Sequence, residues 1–137
     1  WLVKSEPSVY SWRDFAGDGS TCWDGVRNYE ARNNLRAMEP GDLALFYHTD
    51  EERAVVGIAR VTRSAYPDPT TDDERWLVVD LEAVKPLERP VALAEIKRDD
   101  ALRDVALLRQ SRLSVLPLSK AEFERILALG QTSRVAR

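Results

Sequence analysis

The sequence predicts an α+β domain, a small β-barrel or strongly bent sheet with short flanking helices. Three observations lead there. Strand-like runs of similar length recur at Leu43 to His48, Ala54 to Arg63, Trp76 to Val84 and Leu113 to Leu118. Short helical patterns sit between them, without the regular alternation of a doubly wound parallel sheet. No glycine-rich phosphate loop follows any strand.

The elements follow in order. Trp1 to Lys4 reads as a first strand, and Ser8 is placed to cap a helix over Val9 to Phe15. Gly17 to Ser20 is a loop leading to Trp23. Asn28 is a good N-cap for a helix that ends at Met38 before Pro40-Gly41. Ala31, Leu35 and Met38 share the inner face of that helix. Tyr29, Arg32, Asn33 and Arg36 share another face, at spacings i, i+3, i+4 and i+7. After the turn at Pro40 to Asp42 comes the apolar strand Leu43 to His48, then a turn at Asp50 to Glu52. Ala54 to Arg63 is the next strand. Ser64 to Glu74, with Pro67 and Pro69, is a loop long enough to suggest function.

In Trp76 to Val84, Leu77, Val79, Leu81 and Ala83 alternate with Val78, Asp80 and Glu82. One or two short helices lie between Leu93 and Leu108. After the last strand, the capping box Ser119-Lys120-Ala121-Glu122 opens a helix with Phe123, Ile126 and Leu127 inward and Gly130 at its C-cap. Residues 1–130 form a single domain, and residues 131–137 a loosely held C-terminal tail.

A chain of 137 residues is long enough for one proper core, and 44% hydrophobic with 31% charged residues is ordinary for a globular protein. Net charge of −3 and a pI near 5.3 argue against non-specific coating of nucleic acid. A local basic patch is still available at Arg27, Arg32 and Arg36, with the acidic runs Asp50 to Glu52 and Asp72 to Glu74 expected elsewhere. No apolar run approaches a membrane span, and no secretory signal is visible. Because Trp1 stands where methionine is usual, a short upstream piece is expected to be missing from the sequence. The single cysteine, Cys22, excludes an internal disulfide and a multi-cysteine zinc site, and fits a reducing compartment. No metal and no cofactor is expected.

The stretch from Trp23 to Arg36 carries the chemistry. It combines large aromatics, amide side chains and arginines, which suits a flat, polar-edged ligand. The bland alternative is a solvated helix face with one half-buried tyrosine. Trp23, in a loop beside Asp24-Gly25, is expected to wall a pocket instead of filling the core. His48, the lone histidine, reads as structural more readily than catalytic. Cys22 becomes a nucleophile only if His48 approaches it. Asp80 and Glu82 share a strand face that reads as solvated. The chain shows better binding chemistry than catalytic chemistry, so a non-enzyme is expected.

Several motifs together resemble the EVE domain family. They are Trp1-Leu2-Val3-Lys4-Ser5-Glu6-Pro7-Ser8, Trp23-Asp24-Gly25-Val26-Arg27-Asn28-Tyr29 with Ala31-Arg32-Asn33, Gly41-Asp42, Leu45-Phe46-Tyr47-His48, Val56-Gly57 and Arg112-Leu113-Ser114-Val115. The match runs from Trp1 to about Gly130 in family order. Glu30 stands where glutamine is common, and Phe123 where tryptophan is common.

The resemblance implies a PUA-like fold, a bent β-barrel flanked by helices, and a reader of modified bases in DNA or RNA, with 5-substituted cytosine leading. By likeness to the related YTH domains it implies that Lys4, Ser5 and Trp23 border the base. Asn28, Tyr29, Arg32 and Asn33 would flank the same pocket, with Tyr47 and His48 from the adjoining strand. Arg27 and Arg36 are the expected phosphate contacts. The implied partner is a modified nucleic acid and not a membrane, the implied state a monomer. The implied location is cytoplasmic in a bacterium and nuclear in a eukaryote. The alternatives are a hydrolase acting on a modified nucleoside or RNA through Lys4, Ser5 or His48, and a small-ligand or protein-interaction module.

Overall fold

The computed structural model describes residues 1–132. Its strands are β1 (Leu2–Ser5), β2 (Ser20–Cys22), β3 (Leu43–His48), β4 (Ala54–Pro67), β5 (Leu77–Ala92) and β6 (Val115–Leu116). Its α-helices are α1 (Trp12–Asp18), α2 (Tyr29–Ala37), α3 (Leu93–Arg98), α4 (Ala106–Arg109) and α5 (Lys120–Leu129), with a 3-10 turn at Asp100–Leu102. The strands form one sheet in the order β2-β5-β4-β3-β1-β6, antiparallel throughout except for β1 beside β3.

The sheet bends because β4 and β5 are long and irregularly paired. Their register shifts at Val55/Gly57, Ile58/Ala59, Val61/Arg63 and Arg63/Tyr66, and each bulge adds local twist. β4 extends to Pro67 and β5 to Ala92, well past the expected ends at Arg63 and Val84. Pro67, expected in the loop, is the last residue of β4. Pro86 pairs with Gly57 next to a register shift, where no ladder donor is needed.

Other boundaries differ too: the last strand is only Val115–Leu116 where Leu113 to Leu118 was expected, and α1 and β2 take up the ends of the expected Gly17 to Ser20 loop. Helix α1 is capped by Ser11, not Ser8, and the capping box is closed by Asp14. Ser8 has a serine three residues on, whereas Ser11 has an acid there to return the hydrogen bond. Asn28 caps α2 by accepting from the Ala31 N–H at 2.9 Å, and Ser119 and Glu122 form the box that opens α5.

The core lies between the concave sheet and the helices. Leu2, Phe15, Leu35, Met38, Leu45, Phe46, Ile58, Leu81, Ile96 and Ile126 are fully buried in it. An aromatic cluster forms its centre under α1. Phe15 stacks on Phe46 at 5.3 Å, and Trp12 meets both rings edge-on at 5.5 and 5.4 Å. Thr132 is buried and hydrogen-bonded to Glu88 and Gly130. The rest of the expected loose tail, residues 133–137, lies outside the described residues. Among the described residues no helix is long and apolar enough to cross a membrane.

Candidate nucleic-acid interface

The site is built where β1 ends. Val3 and Leu2 are held between β3 and β6, which fixes the direction of the next two side chains. The ammonium of Lys4 donates to the Ser111 carbonyl at 2.8 Å, and burial lowers its pKa. The Ser5 hydroxyl donates to the Tyr10 carbonyl at 2.5 Å and ties down the turn that follows. Across the opening, β2 delivers Trp23, whose N–H donates to the Val79 carbonyl at 2.8 Å. Between these walls lies a cavity of about 500 Å³, open to solvent. Lys4, Ser5 and Trp23 line it together with Tyr10, Asp24 and Ser114, among others.

Trp23 is a wall of this cavity and also a core residue, against the expectation that it would stay out of the core. It is 8% exposed, and its ring meets Phe46 at 5.6 Å and Phe15 at 6.4 Å. The pairing of β2 with β5 draws the segment inward, which a loop assignment for Gly17 to Ser20 did not anticipate. Cys22 also lines the cavity. Burial pushes its thiol pKa up, with Asp24, Asp80 and Asp68 adding to the effect, so the thiolate form is disfavoured.

The segment after Trp23 is latched by a residue that sequence reading passed over. Asp68 is buried and accepts from the Gly25 N–H at 3.1 Å, the Arg27 guanidinium at 2.9 Å, and Thr70 through N–H at 2.7 Å and hydroxyl at 2.6 Å. Burial alone would raise its pKa. The hydrogen bonds from Thr70, Arg27 and Gly25 outweigh that and hold it at about 2. Arg27, expected to contact phosphate, is therefore engaged with Asp68, Thr70 and the Val26 carbonyl. The acidic loop expected elsewhere is folded against the arginines. The signal was available only as an unusually long Pro/Asp loop; the pairing itself is not local in sequence.

The remaining predicted residues do not line the cavity. Tyr29 is 51% exposed and stacks on Trp76 at 5.0 Å, with the Arg32 guanidinium 5.0 Å from its ring centre and Arg75 donating to its hydroxyl. Asn33 accepts from Arg32, and Asn28 is spent on the helix cap. These side chains, with exposed Arg36, form an adjoining ledge on α2. Tyr47 is buried, with the Lys4 ammonium 6.0 Å from its ring centre.

His48 is not among the residues lining the cavity and packs edge-on against Phe46 of the aromatic cluster at 5.7 Å. Its Nε2 accepts from the Trp12 N–H at 2.9 Å, so Nδ1 carries the proton directed to Glu52 at 2.6 Å. Both nitrogens are occupied in holding α1 and the Asp50 turn. Asp80 and Glu82 are likewise paired across strands, with Tyr66 at 2.5 Å and Arg60 at 2.8 Å, on a half-buried face. Among the described residues no group of three His, Cys, Asp or Glu side chains is placed to hold a metal ion.

A bent mixed sheet with short helices packed around it, opening on one tryptophan-walled polar cavity, defines a PUA-like domain. The chain belongs to the EVE domain family, whose pattern it matches over residues 1–129. Human thymocyte nuclear protein 1 is 35% identical over 165 residues, covering 96% of this chain and 73% of the human protein. The crystal structure of Atu2648 from Agrobacterium tumefaciens superposes with a TM-score of 0.95 at 41% identity, covering 96% of this chain and 92% of that one. The crystal structure of human THYN1 in complex with 5-methylcytosine-containing DNA superposes with a TM-score of 0.88 at 34% identity, covering 98% of both chains.

Proposed function

We propose that this protein is a non-catalytic reader of a modified base, a 5-substituted cytosine in DNA, held in the cavity between β1 and Trp23. The observation that supports it most is the cavity itself. It places a tryptophan wall opposite the Lys4 ammonium and the Ser5 hydroxyl oxygen, in a chain 34% identical to a human protein solved with 5-methylcytosine DNA.

The chemistry of the lining suits an unstacked base. Trp23 offers apolar surface, Lys4 donates to ring acceptors, and the Glu6 and Asp24 carboxylates at the rim suit the amino group of cytosine. A base cannot reach a wall as buried as Trp23 while stacked in a duplex, so it enters extruded or from a single strand. Burying one added methyl favours the modified base by only about 0.8 kcal/mol, roughly fourfold. Stronger discrimination must come from the shape of the cavity and its polar groups.

A hydrolase needs an activated nucleophile. The Cys22 thiol is held protonated by burial and neighbouring acids, and both His48 nitrogens are engaged away from the cavity. Fluorescence titrations with DNA and RNA oligonucleotides carrying cytosine, 5-methylcytosine or 5-hydroxymethylcytosine test the reading, with product analysis on the same samples. Preference for a substituted cytosine in DNA without turnover is expected. Equal affinity for all bases, or product formation, overturns it.

A further inference from the structure

We infer that Val9 is a wedge that enters the base stack of a duplex and fills the space vacated by the base in the cavity. The inference rests on the reader function proposed above and adds how a duplex is opened. Val9 and Tyr29 are the exposed large hydrophobic residues among those described, and Val9 is 75% exposed. It also lines the mouth of the cavity. An exposed valine alone is unremarkable. Its position and its support are what matter.

Val9 stands on a turn pinned from both ends. Its own N–H and that of Tyr10 both donate to the Glu6 carbonyl, at 2.9 and 2.8 Å. The Ser5 hydroxyl holds the Tyr10 carbonyl, and the Tyr10 hydroxyl donates to Asp18 at 2.8 Å. The Tyr10 ring then meets Phe15 at 6.1 Å and Trp23 at 6.4 Å, which ties the turn to the cavity wall. The tip is therefore rigid, and a β-branched side chain adds little rotamer freedom to lose on insertion.

The chemistry of the turn selects where it goes. Glu6, Pro7, Ser8 and Val9 supply no cation, and the Glu6 carboxylate repels phosphate. Such a tip does not track a backbone. A short apolar side chain beside a base-sized cavity fits a base step that has lost one member, as apolar wedges do where proteins unstack DNA.

The test uses Val9→Ser and Val9→Leu in the full chain. Each variant and the parent are titrated with a duplex bearing one 5-methylcytosine, with the same strand alone, and with the unmodified counterpart of both, and 2-aminopurine beside the modified base reports unstacking. Val9→Ser should weaken duplex binding about tenfold, from the lost apolar burial, and single-strand binding less than about twofold. It should also suppress the fluorescence rise on duplex binding, while Val9→Leu keeps both. Equal losses on duplex and single strand overturn the wedge and make Val9 an ordinary wall residue. So does wild-type binding of the single strand with no binding of the duplex. If neither form binds the parent protein better than its unmodified counterpart, the reader function itself fails.

Discussion

The indole of Trp12 lies directly on the bare backbone of Gly57. A Cβ built on that glycine would sit 2.5 Å from two of the ring carbons. The contact explains why glycine stands inside β4, where it otherwise weakens a strand. It lets α1 approach the sheet closely enough for Trp12 to pack edge-on to Phe15 and Phe46. Gly57→Ala should therefore cost about 1–3 kcal/mol, the usual range for overpacking. The double variant Gly57→Ala with Trp12→Leu should cost less than the sum of the two, because they share one clash. Denaturant melts of all three variants check this, and strict additivity would show that the contact is not what limits residue 57.

Much of this architecture was legible locally. The Leu43 to His48 strand, the Asn28 cap and the Ser119 box depend on neighbours within a few residues, and each stands where its pattern put it. The end of β5 was not legible, because a bulge absorbs Pro86, and proline normally stops a strand. The same division runs through the site. Trp23 can be read from its own segment, whereas the Lys4-Ser5 pair, unspecific alone at a strand end, is singled out only through the family resemblance. The Asp68 latch and the Tyr29–Trp76 stack join residues more than forty positions apart and are set only by the folding of the whole chain.

Asp68 yields a pH prediction. Its folded-state pKa of about 2 lies below the ordinary value of 3.8, so the folded protein binds this proton more weakly than the unfolded chain does. The stabilisation is complete above about pH 4 and is lost as the pH falls from there toward 2. Asp68→Asn should remove roughly 2 kcal/mol at neutral pH by breaking charge-assisted bonds to Arg27 and Thr70. It should also flatten the acid limb of the stability profile. Melting the parent and the variant between pH 2 and 7 decides it, and parallel profiles would mean that other carboxylates govern acid unfolding.

Trp23 should couple binding to stability, since one ring both lines the cavity and packs against Phe46 in the core. Trp23→Phe keeps an aromatic against Phe46 but shortens the cavity wall. Its affinity for 5-methylcytosine DNA should fall by about 1–3 kcal/mol, the range for lost base stacking. Trp23→Ala should lose binding and, in addition, about 3–5 kcal/mol of stability. Calorimetric melts beside binding titrations separate the two effects. A Trp23→Ala protein as stable as the parent would contradict the core role, and undiminished affinity in Trp23→Phe would remove the ring from the base contact.

The last prediction divides affinity between base and backbone. Arg27 is engaged with Asp68, while Arg36 is exposed near the C-terminal end of α2. Arg36 is thus the better candidate for a phosphate contact on the ledge. Arg36→Ala should weaken modified and unmodified strands alike and reduce the salt slope by about one unit. Arg27→Ala should act differently, by releasing Asp68 and loosening the Gly25 segment, so its effect should appear in the melting temperature as well as in affinity. Lys4→Met should reduce the preference for the modified base, since it removes the ammonium that lines the cavity proposed to hold the base. Asn33 is bonded to Arg32 outside the cavity, so Asn33→Ala should leave base preference unchanged. Titrations of the four variants at two salt concentrations give both the slope and the preference. A change of preference in Arg36→Ala or Asn33→Ala, with none in Lys4→Met, would move the base from the β1 cavity to the α2 ledge.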